Sequence, residues 1–215
     1  MSRSFKIWLA GLLLTAILAQ VSVVWLDKPV ALWIHNLFDV GRIREPVAHS
    51  PALSIPLAAS LVFAIFGLLA IMGRTFSRIE LAILFCDISV FAAEAIKDQL
   101  KFVFGRTWPD SWDPQIISLI RDNVYGFNFF HPGRSFESFP SGHAATAAAM
   151  MSVLWMLFPR LRALWAIGLC ATGVGLVLLN LHFVSDVIAG AFVGASSGLF
   201  TVTLFASMFC EPQLP

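Results

Sequence analysis

The sequence predicts an all-α integral membrane protein, a bundle of six transmembrane helices with an amphipathic loop region on its outer side. Three observations carry that expectation. Only 13% of the 215 residues are charged, against about a quarter in soluble domains, and the mean hydropathy is +0.81. Apolar runs recur at the length a bilayer demands, because a helix needs about 20 residues to cross roughly 30 Å of hydrocarbon. Basic residues gather in every second connection, the pattern of a chain threaded back and forth through a membrane.

The first run, Ile7–Leu26, carries no charge and follows Arg3 and Lys6. It exceeds the about 7–15-residue core of a secretory leader and no small-x-small cleavage site follows, so a retained anchor is expected. Residues 27–50 mix Trp33, Leu37 and Phe38 with Arg42, Arg44 and Glu45, which suits a short helix lying in the interface. His35 and His49 are read there as interfacial polar residues, not ligands. The second span, Pro51–Gly73, is again uncharged.

The third span, Ile79–Leu100, is long enough but holds Glu80, Asp87, Glu94, Lys97 and Asp98. Charges inside a membrane are costly and point into the bundle or a wet cavity. Asp87, Glu94 and Lys101 recur every seven residues and therefore share a face. An internal polar network is expected for the first two; Lys101 lies at the outer end. The loop 101–140 is too long for a simple connector. It carries Trp108, Trp112, Tyr125, Phe127, Phe129 and Phe130 and an amphipathic stretch at Gln115–Arg121, as befits a segment lying on the bilayer surface. Ser141–Phe158, Ala163–Leu181 and Val187–Cys210 supply the last three spans.

Orientation follows from Arg3 and Lys6, Arg74 and Arg78, and Arg160 and Arg162, which fall on one side if the helices alternate. That side is expected to be cytoplasmic, with both termini inside. A net charge of +1 gives no electrostatic reason to expect nucleic acid, and no obligate protein partner is evident. Cys86, Cys170 and Cys210 have neither zinc nor redox spacing and are read as small buried hydrophobes. No domain boundary or repeat divides residues 1–215, so a single membrane-embedded domain is expected.

The chemistry-bearing residues fall on the outer side. Pro140 precedes Ser141-Gly142-His143, which opens the fourth span. Ser141 as N-cap leaves backbone N–H groups at the positive end of the helix, where an anion such as phosphate fits, and Gly142 lets a ligand approach the backbone closely. His143, in the first turn, can give a proton to a leaving oxygen. His182 and Asp186 stand four residues apart, so the carboxylate can accept from one imidazole nitrogen and free the other as a nucleophile.

These motifs resemble the type 2 phosphatidic acid phosphatase family, membrane relatives of the vanadium haloperoxidases. The family pattern has a lysine, six residues and Arg-Pro; then Pro-Ser-Gly-His; then Ser-Arg, five residues, His, three residues and Asp. Here Lys101 and Pro109 fit the first part, with Phe104-Gly105-Arg106 also similar. Pro140–His143 completes the second, and His182 with Asp186 fits the third, followed by Val187-Ile188-Ala189-Gly190. The resemblance covers about residues 79–195. Two family arginines fall on Trp108 and on Gly175-Leu176.

The resemblance implies hydrolysis of a phosphate monoester or diphosphate of a lipid at the outer face of a bacterial-type inner membrane. His182 would form a phosphohistidine, Asp186 would orient it, and His143 would protonate the leaving group and then activate water. Lys101, Arg106, Ser141 and Gly142 would hold the phosphate, Arg106 being the expected substitute for a missing arginine and Arg134 or Arg121 weaker ones. No metal or cofactor is implied; the partners are the lipid phosphate and membrane lipids. A lipid phosphotransferase, or a non-catalytic lipid-phosphate binder or transporter, stay open as alternatives.

Overall fold

The computed structural model describes residues 3–37, 58, 60–111 and 113–205. Each of the six expected apolar segments contains a helix, and no strand forms among the described residues. In chain order the helices are α1 (Arg3–Trp25), α2 (Asp27–Leu37), α3 (Ser60–Ile71), α4 (Arg78–Phe104), the short α5 (Leu119–Asp122), α6 (Gly142–Leu157), α7 (Arg162–Leu178) and α8 (Val184–Leu204). Three stretches, Arg3–Trp25, Pro159–Leu178 and Val184–Leu204, are long and apolar enough to cross a membrane. α3 and α6 are shorter, and α4, at 27 residues, carries charges along its length. Against the expectation of six spans, three helices among the described residues have spanning length and hydropathy. The expected interfacial helix is α2, with His35 exposed on it. Arg42, Arg44, Glu45, His49, Trp112 and Cys210 lie outside the described residues.

The centre is the pair α6 and α8. α6 offers a face of buried alanines, Ala144, Ala145, Ala148 and Ala149. α8 meets it with glycines every fourth residue. A Cβ on Gly190 would lie 2.3 Å from the Ser141 carbonyl oxygen, and one on Gly194 would lie 2.0 Å from that of Ala145. Only bare backbone permits that approach, which is how helices pack where lipid removes the hydrophobic drive between them. Because the contact begins at Ser141, it sets the first turns of both helices side by side, and the Ser141 N–H donates to the Asp186 carbonyl at 3.0 Å.

α4 packs across this pair through Phe85, Ala82 and Cys86 against Val153, Leu157 and Val202. Its start is a capping box: Ser77 accepts from the Glu80 N–H, and Glu80 accepts in return from the Ser77 N–H at 2.8 Å. Farther along, the Thr146 hydroxyl of α6 donates to Glu94 at 2.9 Å, and Lys97 joins Glu94 at 3.0 Å and Asp98 at 2.7 Å. Glu94 therefore sits in an interhelical polar network. Asp87 departs from that expectation: its buried Oδ2 has no hydrogen-bond partner among the described residues. Cys170 departs as well, since it is exposed on α7, whereas Cys86 is buried.

α1 lies along α8, where the Trp8 indole donates to Ser196 at 3.1 Å. At one end of the bundle Arg78 donates to the Leu157 carbonyl and Arg162 to that of Trp155. At the other end meet the last turn of α4, the first turn of α6 and the α7–α8 connection.

The tight contact predicts an asymmetry between glycines. Gly194→Ala should cost about 1–3 kcal/mol of stability as overpacking, because the new methyl must displace α6 backbone. Gly175→Ala, with nothing within 4 Å of its Cβ position, should be neutral or slightly stabilising, since alanine is the better helix former. Thermal unfolding of both variants in detergent checks this; equal melting would sink it.

Candidate active site

The chain reaches the site from four directions. α4 ends at Gly105, whose φ of 54° places it in the left-handed region. A side chain there would run into the Asn128 carbonyl, so glycine is required, and the turn directs Arg106 inward. The loop that follows is pinned by its aromatic residues: Phe104, Phe127 and Phe139 meet edge to face. The Tyr125 hydroxyl donates to the Val23 carbonyl of α1 at 2.7 Å. Phe129 and Phe130 remain exposed. On the far side, Asn180 adopts φ 51° between α7 and α8 and donates to the Ala31 carbonyl of α2 at 3.0 Å. That turn presents His182.

His182 is 3% exposed, and Asp186 is fully buried. Three donors meet the Asp186 carboxylate: Oδ1 accepts from Arg106 Nη1 at 2.6 Å, and Oδ2 accepts from the Ser138 hydroxyl at 2.7 Å and the Phe183 N–H at 3.0 Å. The expected His182–Asp186 hydrogen bond is corrected to a looser contact. Nδ1 lies 3.6 Å from Oδ2, an ion-pair distance beyond a hydrogen bond, and has no hydrogen-bond partner among the described residues. The reason is local. α8 begins only at Val184, so His182 precedes the helix and the four-residue spacing is not one helical turn. Burial pushes the His182 imidazole below its ordinary value, the Asp186 carboxylate pulls the other way, and the Lys101 charge adds to the depression.

His143 stands in the first turn of α6, partly buried, its ring centre 6.1 Å from that of His182. Its Nε2 is buried with no hydrogen-bond partner among the described residues. Ser141 caps the helix by accepting from the Ala144 N–H at 3.3 Å. Beside Gly142 lies a cation that sequence spacing did not single out. A Cβ on Gly142 would lie 3.2 Å from Lys97 Cε and 3.7 Å from its Nζ. The structure thus brings His182, His143, Asp186, Lys101, Ser141 and Gly142 to one end of the bundle, with Lys97 among them. Among the described residues no group of three or more His, Cys, Asp or Glu is placed to hold a metal ion.

Of the two arginines expected to bind phosphate, Arg106 is corrected and Arg134 lies at the surface. Arg106 has no exposed surface. Its Nη1 donates to Ser185 Oγ and Asp186, and its Nη2 to Asp27 at 2.7 Å and Tyr125 at 3.1 Å. Phe183, Phe127 and Tyr125 rings lie 4.4, 4.7 and 5.4 Å from its guanidinium carbon. Burial pulls this guanidinium down, but Asp186 and Asp27 outweigh it and hold it above its ordinary value. It stands behind Asp186 with its amino groups already committed. Arg134 is exposed and paired with Asp113 at 3.3 Å; Arg121 is bound to Asp122 and to the carbonyls of Asp113 and Ile116. The position of the first missing arginine is filled by Trp108, whose ring centre lies 5.2 Å from that of His182. Its indole donates to the Arg134 carbonyl at 2.7 Å.

Asp27, Ser138 and Ser185 belong to the cluster although the motifs did not point to them. Asp27 accepts from the Ser185 N–H at 3.0 Å and from its hydroxyl as well as from Arg106. The available signal was a carboxylate immediately after the first apolar run. Nothing in the local sequence says what it meets.

The PAP2 superfamily pattern matches residues 80–208. A lipid A 1-phosphatase of Rhizobium johnstonii is 38% identical over 109 residues, which are 50% of this chain and 41% of that protein. A lipid A 1-phosphatase of Rhizobium etli is 36% identical over 109 residues, 50% of this chain and 43% of that one. The match therefore spans about two fifths of the length of these curated relatives. Among solved structures, a transmembrane PAP2-type phosphatidylglycerolphosphate phosphatase from Bacillus subtilis superposes with a TM-score of 0.55 at 19% identity, covering 96% of this chain and 98% of that one. At that identity the likeness is one of fold.

The committed state of Arg106 predicts the kind of damage its loss causes. Arg106→Ala leaves two buried carboxylates uncompensated and should destabilise the protein by about 3–5 kcal/mol. Arg134→Ala, at the surface, should melt with the wild type. Chemical or thermal unfolding of the two variants in detergent decides; an Arg106→Ala variant as stable as wild type would contradict the assigned burial.

Proposed function

Because this chain belongs to the PAP2 superfamily, we propose that it is an integral membrane phosphatase of lipid phosphates, acting through a phosphohistidine. The observation that carries the reading is the meeting of two imidazoles, 6.1 Å apart between ring centres, beside the capped N-terminus of α6 and the ammonium groups of Lys97 and Lys101. His182 turns its Nδ1 side to Asp186, which leaves Nε2 for attack. As the Nε2–phosphorus bond forms, the bond from phosphorus to the leaving oxygen breaks, and His143 gives that oxygen its proton. Water then attacks phosphorus and passes a proton to His143. The nitrogen–phosphorus bond breaks, and inorganic phosphate leaves. Lys101, Ser141 and Gly142 hold the phosphoryl oxygens, where charge develops. The cationic side chains do in this reading what a metal ion does elsewhere.

The lipid class is supported by the relatives, whose names specify a lipid A phosphate and phosphatidylglycerol phosphate. Residues 1–215 act here as one membrane-embedded domain. Arg74, Arg78, Arg160 and Arg162 lie at the end of the bundle opposite the site. The positive-inside tendency therefore puts the site on the outer face of the inner membrane, with both termini in the cytoplasm.

The purified full chain should release inorganic phosphate from at least one of lipid A, phosphatidylglycerophosphate, phosphatidate and a polyprenyl diphosphate in mixed micelles. His182→Ala should abolish release without loss of folding, and near-normal release by that variant would overturn the nucleophile assignment. Transfer of phosphate to a second lipid without free phosphate would instead make the protein a phosphotransferase.

Activity should survive EDTA and fall with vanadate, which imitates the five-coordinate phosphoryl group. A strict need for added magnesium would count against the mechanism. The acid limb of kcat/KM should lie below pH 6.5, the ordinary histidine value. The neutral imidazole is the reactive form, and burial disfavours its protonation, so the limb moves down. A limb well above 6.5 would contradict it.

A further inference from the structure

Asp27, Arg106 and Asp186 form a run of alternating charge with no exposed surface, closed on one side by the rings of Phe183, Phe127 and Tyr125. We infer that Asp27, carried at the junction of α1 and α2, is a positioning residue for His182: it takes up one side of the Arg106 guanidinium so that Asp186 keeps negative charge for the imidazole. This rests on the reading of His182 as nucleophile. Arg106 gives Nη2 to Asp27 and Nη1 to Asp186. With Asp186 alone the pair would be electrically neutral, and the imidazole would face a dipole. With both carboxylates the cluster carries one net negative charge on the closed side of the ring.

That surplus has a chemical use. The imidazole becomes cationic as it bonds phosphorus, and a buried cation needs an anion that water cannot supply here. The other charges facing His182 act against it or are neutral: Lys101 from α4 pushes the imidazole toward its neutral form, and His143 comes from α6. Lys97 lies a step away beside Gly142, and Glu137 faces Lys101. The compensating charge therefore comes from behind, through Asp186, and its surplus originates in Asp27. Asp27 lies outside the residues 80–208 that match the superfamily, so the N-terminal helices α1 and α2 take part in the centre through their junction. Ser185 completes the arrangement by giving both its N–H and its hydroxyl to Asp27.

A charge cycle separates this role from mere scaffolding. Asp27→Asn keeps an oxygen for the Ser185 N–H but brings the cluster to neutrality. Arg106→Gln brings it to two net negative charges, and the double variant returns it to one. In the full chain in detergent micelles, imidazole nitrogen NMR should show the His182 titration midpoint falling in Asp27→Asn, rising in Arg106→Gln and returning toward wild type in the double variant. On whichever lipid of the panel the wild type hydrolyses fastest, Asp27→Asn should lose about 10–100-fold in kcat, the range for outer partners of metal-ligating histidines, while KM changes by less than about threefold. Asp27→Glu, which keeps the charge, should restore the midpoint and part of kcat, and it decides the matter with Asp27→Asn if Arg106→Gln does not fold. A midpoint unmoved or raised in Asp27→Asn overturns the inference, and so does an unchanged kcat. If the wild type releases no phosphate from any lipid, it is the phosphatase reading that falls, and the His182 titration still decides the charge balance.

Discussion

A carboxylate buried to zero exposure must have its lone pairs satisfied by the protein, and Asp186 has drawn donors from three separate parts of the chain to do so. Ser138 comes from the end of the loop between α4 and α6, Arg106 from its beginning, and Phe183 from the residue before α8. Meeting that demand closes the loop over the bundle. It also fixes where His182 stands, because the imidazole lies against the one carboxylate oxygen that Ser138 and the Phe183 N–H share. The same demand explains Arg106. A guanidinium brought in to neutralise one carboxylate is itself a buried charge, and its second amino group finds Asp27. Burial propagates from one residue to the next until α1, α2, the loop and α8 share one network.

The network can be dry only because the helices beneath it touch. Gly190 and Gly194 let α8 lie against α6 with backbone nearly on backbone, which joins the start of α6 to the start of α8. The Ser141 N–H reaches the Asp186 carbonyl across that contact. His143 on α6 and His182 just before α8 thereby come from elements packed on each other, and their spacing is set by bundle packing. Lys97 and Lys101 approach from α4, the third member of the same packing, so the cations and the imidazoles are positioned by one rigid arrangement.

Apolar run length located segments that contain helices, three of them of spanning length and hydropathy among the described residues, since hydrophobic length is a property of consecutive residues. Short motifs singled out Ser141, Gly142, His143, His182 and Asp186, and the fold brings them to one end of the bundle. Arg106 was found but misread. Its place in Phe104-Gly105-Arg106 suggested an arginine near phosphate, whereas the turn at Gly105 carries it inward. The His182–Asp186 pair was also read too simply, as a helical turn, because the boundary of α8 depends on Asp186 accepting the Phe183 N–H. Cys170 was read as buried because an apolar neighbourhood in sequence does not say whether a helix face meets protein or lipid.

What the sequence determined alone is the class of the protein, its apolar segments and the motif residues that gather at the candidate site, all encoded in short windows by hydropathy and chemical type. What only the tertiary structure decided is which charges compensate one another. Asp27 and Arg106 are separated by 79 positions, and Arg106 and Asp186 by 80, and no periodicity links them. Each charge is affordable in the apolar interior only once the others are present, so their pairing is a consequence of burial, and burial exists only after the helices have packed.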